Sequence, residues 1–313
     1  MTESAPKKVL SFGETLWDVL PSGPSLGGAP LNLAYRLNTL GDHAFMVTRL
    51  GRDEYGQMAA LRMAELGMDT THIQWDDHRA TGTVDVQVDA QGVPEFTIHP
   101  DVAYDAIEVT YELMEIVKAI DAFCFGTLAQ RCPASALALT RLLDMAGPMP
   151  RFLDLNLRPE CFSWNSITKA LRDATVVKLN ENEVRSVAWG FETPGEPLPD
   201  FCRFLIDRCQ LDACVVTLGE KGALAMNASG EQIYEPGYQV EVVDTCGSGD
   251  AFSAAFLHAY LRKRPLAECC RLGCGLGALV ATQPGATTQL APGALDDFLN
   301  SPPPRIKDPA RGG

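Results

Sequence analysis

The chain has 313 residues, 46% of them hydrophobic, and its 26 Lys and Arg against 40 Asp and Glu give a formal charge of -14. Material for a large core is ample, whereas nucleic-acid and anionic-membrane surfaces need clustered Lys and Arg to neutralise phosphates, so neither partner is expected. An anionic ligand must be held instead by local backbone amides, a few cations or a metal ion.

Residues 9–12 read as a first strand, and 31–40 as a helix with Leu33, Leu37 and Leu40 on one face, closed by Gly41. A strand at 44–50 and a helix at 56–66 that stops at Gly67 come next. Val84, Val86 and Val88 then alternate with polar residues before an Asp-Ala-Gln-Gly turn, and a return strand holds Phe96 and Ile98. This predicts an exposed hairpin with one apolar face, in need of a substrate, a second subunit or its own domain to cover it. Apolar strands at 122–126, 151–157, 175–179 and 213–218 alternate with helical segments at 134–146, 165–173 and 198–208. Such alternation predicts a single α/β domain, a doubly wound and mostly parallel sheet flanked by helices. The tail 301–313, with three consecutive prolines and a Gly-Gly end, reads as disordered.

No run of about 18 apolar residues offers a membrane span, and the first eight residues hold no signal core, so the cytoplasm is the expected compartment. The ten cysteines are scattered without a C-x-x-C and read as reduced thiols. His43, His72, His78, His99 and His258 lack zinc-ligand spacing.

The most informative stretch is 242–252, in which an apolar segment runs through Asp244, Thr245 and Cys246 into Gly247, Ser248, Gly249 and Asp250 at the start of a helix. Gly247 and Gly249 let a backbone approach an anion, the free N–H groups of the helix at 250–262 favour negative charge, and Asp250 stands beside them. Read alone, the same turn is a strand-to-helix connection with Asp250 as its cap. Near the N-terminus, Asp18 and Asn32 would offer acceptors and a donor to a polyol, with Gly27 and Gly28 permitting close approach; alone, Gly-Gly-Ala-Pro also reads as a loop before a helix. No G-x-x-x-x-G-K-[ST], H-R-D or D-F-G occurs, so neither a P-loop nor a protein-kinase site is indicated.

Together, Gly27-Gly28 with Asn32, the run from Gly51 to Gly56, and Asp244 to Asp250 resemble the signatures of the ribokinase-like (PfkB) carbohydrate kinases over almost the whole chain, with Ser248 in place of the usual alanine. The resemblance implies a ribokinase-like fold with a small β lid from about 14–26 and 80–100, ATP and Mg2+ as cofactors, and potassium near Asp244; the uncovered valine face of the hairpin predicts that it mediates either closure over sugar or a homodimer through the lid. The resemblance casts Asp250 as the base and Gly247, Ser248 and Gly249 as the anion hole. Asn180 and Glu183 match its N-x-x-E motif, implying organisation of Mg2+ and its waters, although a polar first turn of a helix would look the same. Thr217 and Gly219 resemble its nucleotide-phosphate loop, and Gly277 and Gly285 fit its adenine pocket, where close helix packing would equally select small residues. Asp154, Asn156 and Arg158 alternate, so a single strand face is expected to carry them; D-x-N-x-R is similar to fructokinases and 2-keto-3-deoxygluconate kinases, which implies Asn156 on the sugar and Arg158 on the transferring phosphoryl. Fructose is the preferred substrate of this reading, 2-keto-3-deoxygluconate the runner-up, and a non-catalytic sugar-binding relative the reading from another class.

Overall fold

The computed structural model describes residues 5–20, 23–88, 94–308 and Ala310. In chain order its elements are β1 (Lys8–Phe12), β2 (Leu16–Leu20), β3 (Gly23–Gly27), α1 (Ala29–Thr39), β4 (His43–Gly51), α2 (Glu54–Glu65), β5 (Ile73–Asp76), β6 (Gly82–Val88) and β7 (Pro94–Ile98). Then follow α3 (Tyr111–Ile116), β8 (Ala122–Phe125), α4 (Pro133–Met145), β9 (Arg151–Asp154), α5 (Trp164–Asp173), β10 (Val176–Asn180), α6 (Glu181–Gly190) and α7 (Leu198–Cys209). The last are β11 (Ala213–Thr217), β12 (Ala223–Asn227), β13 (Gln232–Glu235), β14 (Gly237–Tyr238), α8 (Ser248–Leu261), α9 (Leu266–Ala281), α10 (Ala294–Asn300) and β15 (Arg305–Ile306).

Nine strands form the main sheet in the order β13-β12-β11-β10-β9-β8-β1-β4-β5, parallel from β11 to β5 and antiparallel at the β12 and β13 edge. Its parallel strands are apolar on both faces because helices cover both. Val9, Phe152 and Val176 pack with α1, α2, α8 and α9, while their neighbours Leu10, Leu153 and Val177 pack with α4 to α7. This is the doubly wound architecture that the alternation of apolar runs implies.

The second sheet has four strands in the order β3-β2-β6-β7, with β2 and β6 parallel and the other pairs antiparallel. The expected hairpin is therefore half of a larger sheet, with Val84 buried on it. The hairpin's turn and the side chains of Val86, Val88 and Phe96 lie outside the described residues.

Three expectations need correction. The strand expected over 151–157 ends at Asp154, because Asn156 takes a left-handed φ of 41° that breaks the extended path. Asp154, Asn156 and Arg158 consequently do not share one strand face. The helix expected from residue 250 begins at Ser248, which places Ser248 and Gly249 in its first turn. The tail is ordered at Arg305–Ile306, which pairs with Gly237–Tyr238; Arg305 also bridges Glu235 and lies 3.8 Å from the Tyr238 ring centroid. An ion pair and a cation–π contact thus anchor a proline-rich segment that composition alone assigns to disorder.

Candidate active site

The predicted site residues gather at the carboxyl ends of the parallel strands, where doubly wound sheets place ligands. Asp250 lies in the first turn of α8, and Asn32, in the first turn of α1, donates from Nδ2 to its Oδ2 at 2.8 Å. Although its surface is only half-buried, Asp250 is closely ringed by protein atoms, and burial raises its carboxyl to about 6. The charge of Asp154 pushes in the same direction, while the Asn32 hydrogen bond, Lys178 and Arg158 oppose it. A carboxylate tuned near neutrality can take a proton from an alcohol during attack.

The turn preceding Asp250 is fixed by backbone requirements. Gly247, the N-cap of α8, has φ 73°, and a Cβ there would lie 2.4 Å from the Ala286 Cβ. Gly249 borders a cation: its Cβ would lie 3.3 Å from the Nζ of Lys178. Lys178 comes from β10, is buried, and reaches both oxygens of Asp154 at 3.2 Å. Burial works against its charge, but Asp154, Glu183 and Asp250 outweigh burial and raise its pKa. Ser253, one turn into α8, has its hydroxyl 2.8 Å from Asp154 Oδ2 and 3.0 Å from the Gly249 carbonyl. An ammonium thus sits directly under the Gly247–Gly249 turn, held by one carboxylate below.

Asn180 and Glu183 open α6 as a reciprocal cap. The Asn180 side chain accepts from the N–H groups of Asn182 and Glu183, while Glu183 accepts from Asn180 N–H at 2.8 Å and from Leu157 N–H at 2.9 Å. Both Glu183 oxygens are engaged and the residue is 4% exposed; burial raises its pKa against the pull of Lys178. Thr217, the register partner of Asn180, ends β11 with its hydroxyl 3.3 Å from the Leu179 carbonyl, and Gly219 follows at φ 60°.

On the side of the smaller sheet, Asp18 stands on β2, and a Cβ on Gly27 would lie 3.0 Å from its Oδ2. Gly28, with φ 119°, leaves space that a Cβ would lack, being 2.4 Å from the Glu14 carbonyl. Burial raises Asp18 and pushes Glu14 up to about 7, and the exposed Arg158 moderates both. The charge of Arg158 thus acts on three carboxyls, those of Glu14, Asp18 and Asp250. Asn156 lines a small cavity of about 10 Å³ together with Ser11, Glu14 and Asp154. Glu14 Oε2, Asn32 Oδ1 and Ser248 Oγ are buried without hydrogen-bond partners. Buried polar atoms left without a partner call for one, and a polar ligand would supply it.

The remaining positions serve the walls. Asp244 accepts from Cys246 N–H and Gly285 N–H, each at 2.9 Å. Gly277 packs α9 on α8, since its Cβ would lie 3.0 Å from the Ser248 carbonyl, and Gly273 does likewise against the Phe252 ring at 2.8 Å. Glu14, Lys178 and Ser253 were not assigned roles by sequence reasoning. Lys178 carried a usable signal, a charged residue inside a strand that is apolar on both sides.

A doubly wound sheet with a tuned carboxylate at a glycine turn and a buried ammonium beneath it defines an α/β site able to hold an anion beside a base. The pfkB family carbohydrate kinase model matches residues 22–292, and the chain belongs to that family. It is 30% identical to fructokinase-1 of Oryza sativa subsp. japonica over 312 residues, covering 90% of this chain and 94% of the relative. Among solved structures, the fructokinase of Xylella fastidiosa with bound ATP superposes with a TM-score of 0.83 at 21% identity, over 94% of this chain and 98% of that one. A fructokinase double mutant of Vibrio cholerae O395 in its fructose, ADP and potassium ion bound form gives 0.79 at 24% identity, over 95% and 99%.

Proposed function

We propose that the chain is an ATP-dependent fructokinase in which Asp250 is the base. The observation that carries the reading is Asp250 itself, raised to about 6 and hydrogen-bonded by Asn32 at the N-terminal turn of α8, with the Lys178 ammonium below the same turn. Asp250 removes the proton of a sugar hydroxymethyl group as its oxygen forms a bond to the γ-phosphorus. The bond from that phosphorus to the β–γ bridging oxygen breaks, and ADP leaves. The N–H groups of the Gly247–Gly249 turn and Lys178 oppose the charge that grows on the transferring oxygens, and Arg158 does so from the sugar side.

Polar side chains and glycines hold the sugar in this reading: Asp18, Asn32 and Asn156 meet hydroxyls, and Gly27 and Gly28 allow the approach. Thr217, Gly219, Gly277 and Gly285 border the nucleotide. Among the described residues no three His, Cys, Asp or Glu gather as a metal cage. Asn180 and Glu183 at the start of α6 are oxygen donors of the hard kind Mg2+ takes, and Mg2+ arriving on the nucleotide phosphates with its water shell needs few protein ligands. Mg2+ would neutralise phosphate charge, and Asn180 and Glu183 would orient its waters.

The smaller sheet is proposed as the lid of a single kinase domain, closing over the sugar, and its outer face as the contact of a homodimer. No described helix is long and apolar enough to cross a membrane, and the cytoplasm is the proposed compartment. A neutral sugar is favoured over 2-keto-3-deoxygluconate because the carboxyls of Glu14, Asp18 and Asp250 already share the charge of Arg158, and a carboxylated substrate would add a fourth negative group. A purely sugar-binding role would give no use to the base and the buried ammonium together. The test is ADP release with ATP and Mg2+ over fructose, ribose, adenosine and 2-keto-3-deoxygluconate. Fructose is expected to be used best, and inert fructose with another turning over refutes the substrate.

A further inference from the structure

Arg36 is among the largest side chains buried in full, at 0% exposure in the last turn of α1. It forms no ion pair among the described residues. Its guanidinium instead donates to two backbone carbonyls of one loop, from Nη2 to Ala286 O at 2.6 Å and from Nη1 to Thr288 O at 3.0 Å, and its Cζ lies 5.0 Å from the Tyr35 ring centroid. Nε is buried without a partner. A buried charge without a carboxylate persists only where oriented dipoles replace its hydration, so the fold is committed to holding this cation against these carbonyls.

The loop it grips borders the site twice. Ala286 is the residue against which Gly247 is pressed, and Gly285 donates to Asp244. One turn before Arg36 on the same helix, Asn32 donates to Asp250. Helix α1 thereby fixes both the base and the wall behind the anion turn.

The oxygens near Asp244 are also engaged internally. Ala281 O accepts from Val243 N–H and Asp244 N–H at 2.9 and 3.2 Å, Pro284 O from the Thr288 hydroxyl, and Ala286 O and Thr288 O from Arg36. Both Asp244 carboxylate oxygens accept backbone N–H groups. Carbonyls converging on a positive charge are the donor chemistry of a monovalent cation site, and here a guanidinium has taken two of them.

We propose that Arg36 is a positioning residue of phosphoryl transfer, an internal cation that holds the 284–288 loop against Asp244 and Gly247 so that no loop-bound potassium is required. This rests on the kinase reading above. Arg36 touches neither sugar nor nucleotide; it acts through Ala286 on the anion turn.

The test compares the full-length parent with Arg36→Met and Arg36→Lys, in potassium chloride and in choline chloride at equal ionic strength, by ADP release and by thermal melting. The parent rate is expected to change less than about twofold between the two salts, whereas Arg36→Met loses about 30-fold in kcat/KM for ATP, keeps its sugar KM within about threefold, and regains about fivefold with potassium. A parent activated about tenfold by potassium, or a folded Arg36→Met with parent kinetics, overturns the proposal. If Arg36→Met does not fold, Arg36→Lys must show the same selective loss for ATP, since a point charge cannot span two carbonyls, and parent kinetics in it overturn the proposal. A parent that phosphorylates no sugar sinks the kinase reading instead; the clamp is then judged by the melting shift with ATP and Mg2+, which the variants must lose, an equal shift overturning it.

Discussion

Asp250→Asn separates a base from a helix cap in one protein. The amide is nearly isosteric, still offers an oxygen to Asn32 Nδ2, and still suits the first turn of α8, so the fold is kept. Two consequences follow from the carboxyl lying near 6 rather than at 3.8. Below the ordinary value both folded and unfolded chains hold the proton, and nothing is lost. Between that value and about 6 the folded chain keeps a proton that the unfolded chain has released, so stability falls as pH rises through this window. Above it the full cost of the buried charge is present, at most about 3 kcal/mol and less because part of the side chain meets solvent. Asp250→Asn is therefore expected to be more stable than the parent by about 1–3 kcal/mol at pH 8, the gap closing in acid. Its kcat should fall by roughly 10²–10⁴-fold, the usual worth of a positioned base. The parent's kcat should also decline below pH about 6 as one proton is taken up. Chemical denaturation at several pH values and ADP release from the best sugar measure both. A variant within about threefold of the parent rate refutes the assignment, whatever its stability.

Further outcomes are expected from the same geometry. Gly247→Ala must accept a left-handed φ of 73° and a Cβ 2.4 Å from Ala286, so thermal denaturation should show a loss of about 2–4 kcal/mol. Lys178→Met leaves Asp154 buried without its cation and should cost about 3–5 kcal/mol, much of it recovered when Asp154→Asn is added; an undiminished single variant would show the pair to be idle. Glu14→Gln should flatten the decline in stability expected as pH rises from 4.5 to about 7, the range in which the folded chain alone keeps this proton, and parent-like pH dependence of melting would count against that burial.

The fold was largely legible because its parallel strands are short apolar runs separated by helices, and a strand covered on both faces needs no alternation to announce it. Where sequence reasoning slipped, a single residue's backbone or a distant contact decided. Asn156 turns left-handed and ends β9 early, and no propensity separates that asparagine from one continuing a strand. Arg305 secures the tail through Glu235 and Tyr238, about 70 residues away, a pairing that composition cannot reveal. At the candidate site, the glycine turn with Asp250 in the first turn of a helix was legible from spacing because its residues are neighbours in sequence.

The parts that tune Asp250 arrive instead from separate strands and helices: Asn32 from α1, Asp154 from β9 and Lys178 from β10. Only the sheet order brings them together, with β9 beside β10 and α1 against α8. This explains why the residues that set the pKa of Asp250 look like ordinary strand and helix positions in the chain. It also sets what a redesign of the site must preserve. Moving the G-S-G-D turn to another strand-to-helix connection would carry the base and the free amides but leave Asp250 at its ordinary acidity, without the burial or the Asp154 charge that hold it near 6. The reactivity of this turn belongs to the sheet under it as much as to its own four residues.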